Sequence, residues 1–166
     1  RPEQTIGDAV AMAVTLDGAA AGLARECGAT RFMALAAGLA VALHEATGQT
    51  DICLGTDVAD RRHAAAEGLI GFFANQVVLR LDLARNPTPR ALMGRVRAAT
   101  LGMFAHQHVS ADRVLAGLPP IRAKITWQPA PAVPVTLAGC SVEWPDASPA
   151  AIPFDLLVNL VGAADG

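Results

Sequence analysis

The sequence has few charged residues and almost no lysine, and this shortage excludes one large class of partner. Charged residues make up 17% of the 166 residues, the formal net charge is -2, and Lys124 is the only lysine. Binding to nucleic-acid phosphates needs clustered Lys and Arg, and the chain has no basic block. We therefore expect no nucleic-acid partner.

Long hydrophobic runs are also missing, although 52% of the residues are hydrophobic. The longest apolar run covers residues 32–43 and ends at His44 and Glu45. A helix that crosses a bilayer needs about 20 apolar residues. We therefore expect a buried core helix at this place and no membrane partner, and the high apolar content indicates a large buried surface that includes an interface.

The three cysteines lie far apart, at Cys27, Cys53 and Cys140, and no CxxC pair occurs. This pattern excludes a disulfide framework and a thiolate zinc site. We expect three small, buried or semi-buried thiols in a reducing, cytoplasmic protein. The chain has neither an initiator Met nor a signal-peptide pattern, so we also expect it to be a piece of a longer polypeptide.

Hydrophobic periodicity predicts the secondary structure. The predicted strands cover residues 8–16, 51–58, 74–83, 121–128, 136–144 and 154–161. The predicted helices cover residues 18–27, 31–47 and 89–106, with short helical turns at 64–69 and 111–118. Strands mixed with helices indicate an α/β or α+β fold with a mixed sheet.

Capping residues fix the ends of the two long predicted helices. Thr30 is the expected N-cap of the first, and Gly48 is its expected stop. Thr88 is the expected N-cap of the second, with Pro89 at the first helical position.

No residue set predicts a catalytic or metal site. His108 and Asp112 have the spacing HxxxD, but Gln107 precedes and Arg113 follows, so a helix-terminal histidine is the preferred interpretation. His106 and His108 lack a third metal ligand at suitable spacing. The sequence also contains no GxGxxG or Walker motif.

Two aromatic features leave alternatives open. Gly71, Phe73 and Asn75 belong to a Gly-Phe-Phe-Ala-Asn segment that fits either a structural corner or part of a ligand channel. Trp127 and Trp144 fit either core packing or ligand stacking, and core packing is favoured.

Five segments together resemble the C-terminal lobe of a nonribosomal peptide synthetase condensation domain. Its motifs match a Thr-Arg-Phe-Met-Ala-Leu helix start, a Thr-Gly-Gln-Thr-Asp strand that leads to Arg61, Gly-Phe-Phe-Ala-Asn followed by Arg80, an Ala-His-Gln triplet, and a late Phe-Asp-Leu. These segments lie at residues 30–35, 47–61, 71–80, 105–107 and 154–156. The resemblance implies one lobe of a two-lobed, chloramphenicol acetyltransferase-like fold, spanning residues 1–166.

The resemblance also implies a function that is divided between two lobes. The family joins a donor thioester to an acceptor amine, each carried on the phosphopantetheine of a carrier protein. The catalytic HHxxxDG motif belongs to the N-terminal lobe and is absent here. Because the family's substrates are carried on the phosphopantetheine of carrier proteins, the resemblance implies no cofactor bound directly by this chain. Expected partners are that lobe and peptidyl carrier proteins, and the isolated lobe is expected to self-associate. Candidate tunnel or interlobe positions are Gly71, Phe73, Asn75, Arg80, His106 and Gln107, although Arg80 fits a structural ion pair equally well.

The sequence departs from the family after Gln107. His108 stands where the family has Asp, residues 110–112 replace Pro-Phe-Glu, and the segment 118–125 is shortened. These departures suit a noncatalytic platform that binds a carrier protein or a tailoring enzyme. An unrelated α/β domain with chance similarity is the third alternative.

Overall fold

The computed structural model describes residues 18–59, 61, 64–117, 119–128, 139–140 and 152–161. Within these residues the helices are α1 (Gly18–Glu26), α2 (Arg31–Thr47), α3 (Ala64–Glu67), α4 (Pro89–Ala105) and α5 (Ala111–Val114). The strands are β1 (Asp51–Val58), β2 (Asn75–Asp82), β3 (Ala123–Gln128) and β4 (Leu156–Val161). The predicted strand at 8–16 and nearly all of the one at 136–144 lie outside the described residues.

The caps of the long helices follow the prediction. The Thr30 hydroxyl accepts a hydrogen bond from the Met33 backbone N–H at 3.3 Å, and the Thr88 hydroxyl accepts one from Ala91 at 3.3 Å. Gly48 ends α2 with φ of 72°, a left-handed conformation that glycine adopts without strain. In the described part of the chain no single helix is long and apolar enough to cross a membrane.

The four strands form one mixed sheet in the order β2-β1-β3-β4, which confirms the predicted fold class. β1 and β2 pair antiparallel along their whole length, from Asp51 opposite Asp82 to Val58 opposite Asn75. β3 and β4 pair in parallel along all six residues. β1 and β3 are also parallel, but these two fully described strands pair only at Leu54 with Ala123 and Gly55 with Lys124.

Helices α2 and α4 pack on one face of this sheet and on each other, and α1 packs on α2. The alternation of β2 puts Val77, Leu79 and Leu81 in this core, and Leu83 just after the strand continues it, as predicted. The largest side chains that are fully buried are Leu54, Leu79, Leu81, Ile125, Val96 and Thr100. The opposite face carries polar residues of the same strands and is called the open face below.

Several predictions at the element ends are wrong. The turns α3 and α5 are shorter than predicted, and β3 and β4 begin at Ala123 and Leu156, two residues later than predicted. Ile121 is buried and so continues the apolar alternation of β3 before the strand begins. The carbonyl of Arg122, which also precedes the strand, accepts hydrogen bonds from the backbone of Asp155 and Leu156. Apolar alternation therefore extends beyond the β-ladder.

The expectation of buried or semi-buried cysteines holds only for Cys27, because Cys53 and Cys140 are exposed. Cys53 lies between Ile52 and Leu54, whose side chains enter the core. Since successive side chains of a strand point to opposite faces, Cys53 lies on the open face.

Candidate functional site

Three of the motif segments meet at one end of the sheet. Arg61 follows the end of β1, Phe73 and Asn75 lead into β2, and Gln107 follows the end of α4. The antiparallel pairing of β1 with β2 sets Val58 opposite Asn75, which brings the first two segments together. The packing of α4 on β2 brings in the third.

Arg61 holds the loop between β1 and β2. Its guanidinium donates to the carbonyl of Leu69 at 2.9 Å and to that of Gly71 at 3.4 Å, and also to that of Ala66. The same guanidinium lies 4.3 Å from the centre of the Phe73 ring, within the range of a cation–π contact. One side chain therefore satisfies several loop carbonyls and fixes the aromatic residue of the motif.

Asn75 joins β2 to the turn after α4. Its side-chain amide donates to the Gln107 carbonyl at 2.6 Å and, over a longer distance of 3.4 Å, to the Val109 carbonyl. These carbonyls follow the last turn of α4, where backbone acceptors lack helical partners. Asn75 thus acts as the corner residue that the sequence allowed, and it connects the Gly-Phe-Phe-Ala-Asn segment directly to Ala-His-Gln.

The tip of the loop held by Arg61 exposes large apolar side chains. Leu69, Ile70 and Phe72 are 55%, 104% and 91% exposed. We call residues 69–72 the apolar loop. The side chain of Ile70 is fully exposed to water and that of Phe72 almost fully, so burying them against a partner would be favourable. Contiguous exposed apolar residues of this kind mark interaction sites.

Arg80 is not part of this junction. It lies five residues along β2 from Asn75, roughly 17 Å at the usual strand rise. Its Nε and Nη2 donate to the two carboxylate oxygens of Asp51 at 2.8 and 2.6 Å. The hydrogen bond from Arg80 holds the pKa of Asp51 below its ordinary value. Of the two interpretations offered by the sequence, the geometry gives the ion pair.

Replacing Arg80 by Met should raise the pKa of Asp51 back toward its ordinary value of 3.8. A lowered folded-state pKa means that the Asp51 pair stabilises the fold above the unfolded-state pKa, and that this contribution disappears as the pH falls through the folded-state pKa. Because both side chains are more than half exposed, the stability change at neutral pH should be small. Carboxyl titration by NMR checks the shift, and an unchanged Asp51 pKa in Arg80→Met would contradict the assignment.

The histidines and the thiol of β1 do not form a reactive centre in the described residues. His106 and His108 are exposed, with ring centroids 6.4 Å apart, and no group of three metal-ligating side chains occurs in the described part of the chain. Desolvation, followed by the charge of Asp51, raises the pKa of the Cys53 thiol, which disfavours a thiolate.

The open face of the sheet carries a charged pair that the sequence did not single out. Lys124 on β3 donates to Asp57 on β1 at 2.8 Å, and its side chain is only 15% exposed. The ammonium also lies 5.3 Å from the ring centre of Phe154. The sequence feature that could have indicated this pair is the position of the only lysine, Lys124, inside a strand of alternating apolar and polar residues.

Two grooves lie beside these contacts. A groove of about 390 Å³ at the open face is lined by Gln76, Ala111, Asp112, Leu115, Pro120, Ile121, Pro153 and Phe154. A second groove of about 250 Å³ is lined by Thr30, Phe32, Met33, Thr56, Asp57, Val58, Met103, Phe104 and Trp127. We call the second one the strand-end groove. Trp127, expected in the core, is 37% exposed there.

Comparisons with known proteins identify the family of the chain. The family model described as "Condensation domain" matches residues 6–124. Phosphinothricin tripeptide synthetase PhsB of Streptomyces viridochromogenes is 40% identical over 102 residues, covering 61% of this chain but 9% of that protein. The chain therefore spans less than a tenth of the length of this relative.

Solved structures give the same fold. The first condensation domain of the calcium-dependent antibiotic synthetase, in complex with a substrate analogue, is 26% identical with a TM-score of 0.59, covering 72% of this chain and 28% of that one. The X-domain of teicoplanin biosynthesis, solved in complex with OxyB, matches with a TM-score of 0.70 and 24% identity, over 86% of this chain and 33% of that one.

Proposed function

The chain belongs to the condensation domain family, and from this premise we propose that it is the C-terminal lobe of a nonribosomal peptide synthetase domain that forms a peptide bond. In that reaction the amine of an acceptor attacks the thioester carbonyl of a donor, the amide bond forms, and the donor's thiol leaves. Donor and acceptor are carried on the phosphopantetheine arms of carrier proteins. The lobe contributes a tunnel wall and interlobe contacts, while the histidine motif belongs to the other lobe.

One observation carries this proposal: three of the family's motif segments meet through direct contacts at one end of the sheet. Asn75 donates to the backbone of Gln107, and Arg61 donates to the carbonyl of Gly71. Gly71, Phe73, Asn75, His106 and Gln107 therefore lie in one junction, as interlobe or tunnel residues would. Arg80 lies apart from this junction and joins β2 to β1 through its ion pair with Asp51.

The apolar loop supports a partner surface at this junction. Arg61 fixes the loop backbone, so that Ile70 and Phe72 project from an ordered support. We assign the N-terminal lobe of the same domain as its partner. In the absence of that lobe, the same side chains should cause the isolated chain to self-associate.

Amide synthesis by the chain tests the proposal. The chain alone, supplied with a carrier-bound donor and acceptor, should form no amide above the uncatalysed rate, because it lacks the histidine motif. Addition of the N-terminal lobe of its parent domain should give amide product, and the same lobe with its histidine motif replaced by alanine is the control. Amide synthesis by the chain alone would overturn the division of function between the lobes.

A second candidate function is a noncatalytic platform that recruits a tailoring enzyme. It is favoured by the departures from the family at residues 108–120, where His108 and Asp112 are exposed. The X-domain that shares this fold was solved in complex with another protein of teicoplanin biosynthesis, OxyB. The reassembled domain separates the two functions: a platform binds carrier protein or a tailoring enzyme but yields no amide, even with an intact histidine motif.

A further inference from the structure

The sheet is split between β1 and β3. These parallel neighbours pair only at Leu54 with Ala123 and at Gly55 with Lys124, although both strands are fully described and continue for several residues. On either side of the split, β1 stays paired with β2 and β3 with β4. The carboxyl halves of the two central strands therefore lack a ladder between them.

The split coincides with a change in the edge of the sheet at which the next strand in the chain is added. From β1 the chain proceeds to β2 on one edge, and from β3 it proceeds to β4 on the other edge. In open α/β sheets, ligands bind in the crevice outside the carboxyl ends of neighbouring strands at such a switch point. β1 and β3 are parallel neighbours of this kind, so a crevice can form between their carboxyl ends.

The strand-end groove lies at this place. Its walls include Val58 at the end of β1 and Trp127 near the end of β3. The N-terminal turn of α2 contributes Met33, and the last turns of α4 contribute Met103 and Phe104. The short ladder between β1 and β3 and the groove are two separate observations that identify the same position.

The lining favours an uncharged ligand group. Among the lining residues within the described ranges, Asp57 is the ionisable one, and its pair with Lys124 at 2.8 Å balances its charge. The remaining polar lining residues are Thr30 and Thr56. Since the lining residues that the structure describes offer no partner for a second charge, moving a charge into this apolar space would cost free energy.

The volume limits the size of that group. A dry cavity of about 150 Å³ already holds benzene, and this groove has about 250 Å³. An aromatic side chain or a branched acyl chain fits this volume. The two methionines can adjust to different shapes, and the sulfur atoms make favourable contacts with aromatic rings.

We propose that the strand-end groove is a binding pocket for a neutral, apolar side chain or acyl group of a substrate. The pocket itself follows from the geometry, and only the identification of its occupant as part of a tethered substrate rests on the proposed function. The proposal therefore predicts binding of free small molecules by the chain without any other lobe.

Fluorescence of Trp127 provides a direct readout, since the chain has two tryptophans and Trp144→Phe leaves Trp127 alone. N-acetylphenylalaninamide and N-acetylleucinamide should shift its emission in a saturable way. The amides of N-acetyllysine and N-acetylaspartate should bind at least tenfold more weakly. Absence of a saturable shift with the apolar amides, or equal binding of the charged ones, would overturn the proposal.

A pair of variants on one helix makes the test specific. Phe104 and Leu101 both lie on α4 with similar exposure, 43% and 48%, but only Phe104 lines the groove. Phe104→Ala should weaken binding of the phenylalanine amide at least fivefold, and Leu101→Ala should leave it unchanged. Equal effects of the two variants would contradict the assignment. Because this assay needs no amide synthesis, its failure and a failure of the proposed function are distinguishable.

Discussion

Replacing Ile70 and Phe72 together by serine should weaken the association of the chain with the N-terminal lobe of its domain at least 100-fold. The two side chains are almost completely exposed in the chain alone. Burying a side chain of this size contributes about 1.5–3 kcal/mol. The loss of both side chains therefore raises the Kd of the two lobes by a factor of about 100 or more. Sedimentation velocity of the mixed lobes measures the change in Kd.

The control removes two apolar side chains of the helical layer that are also exposed, although less fully than Ile70 and Phe72. Val41 on α2 and Leu101 on α4 are 36% and 48% exposed and lie outside the apolar loop. Val41→Ser with Leu101→Ser should leave the association unchanged. The variant of the apolar loop should also reduce self-association of the isolated chain, and a strictly monomeric wild type at high concentration would contradict that part of the account.

Replacing Asn75 by alanine should lower the free energy of unfolding by about 2 kcal/mol. The change removes two hydrogen bonds and leaves the carbonyls of Gln107 and Val109 without their donor. For a domain of this length, that loss corresponds to a fall in Tm of roughly 4–8 °C. Urea unfolding followed by circular dichroism measures it.

Asn75→Asp sharpens this prediction. A carboxylate of the same shape cannot donate at neutral pH and would face two carbonyl oxygens, so the loss should exceed that of Asn75→Ala. The matched control is Asn159→Ala on β4, where the exposed amide oxygen accepts a hydrogen bond from the Thr126 hydroxyl. The control should change the stability by less than about 0.5 kcal/mol. Tolerance of Asn75→Asp would show that the amide does not act as a donor.

Helix α2 and strand β1 could be predicted to the residue because their ends are set by local chemistry. Thr30 caps the start of α2, and Gly48 adopts the left-handed conformation at its end. The alternation that follows puts Ile52, Leu54 and Val58 in the core. Such signals lie within a few residues of the boundary that they determine.

The candidate site was predicted only in part, because its contacts join residues far apart in the chain. The motif resemblance identified Asn75 and Gln107, but the hydrogen bond between them crosses 32 positions. Arg80 belongs to the same motif and lies at the other end of β2. The pair of Lys124 with Asp57 and the groove at Trp127 depend on β3 lying beside β1 and on the early end of their ladder. No local pattern encodes that register.

Hydrogen–deuterium exchange of the chain, with and without the N-terminal lobe, is the most direct test of the central claim that the junction around Arg61, Asn75 and Gln107 is an interlobe surface. The account predicts that the lobe slows exchange at residues 64–75 and 106–109, while the exposed side of α2 exchanges at the same rate. Protection confined to α2 and α4, or no protection at all, would contradict it.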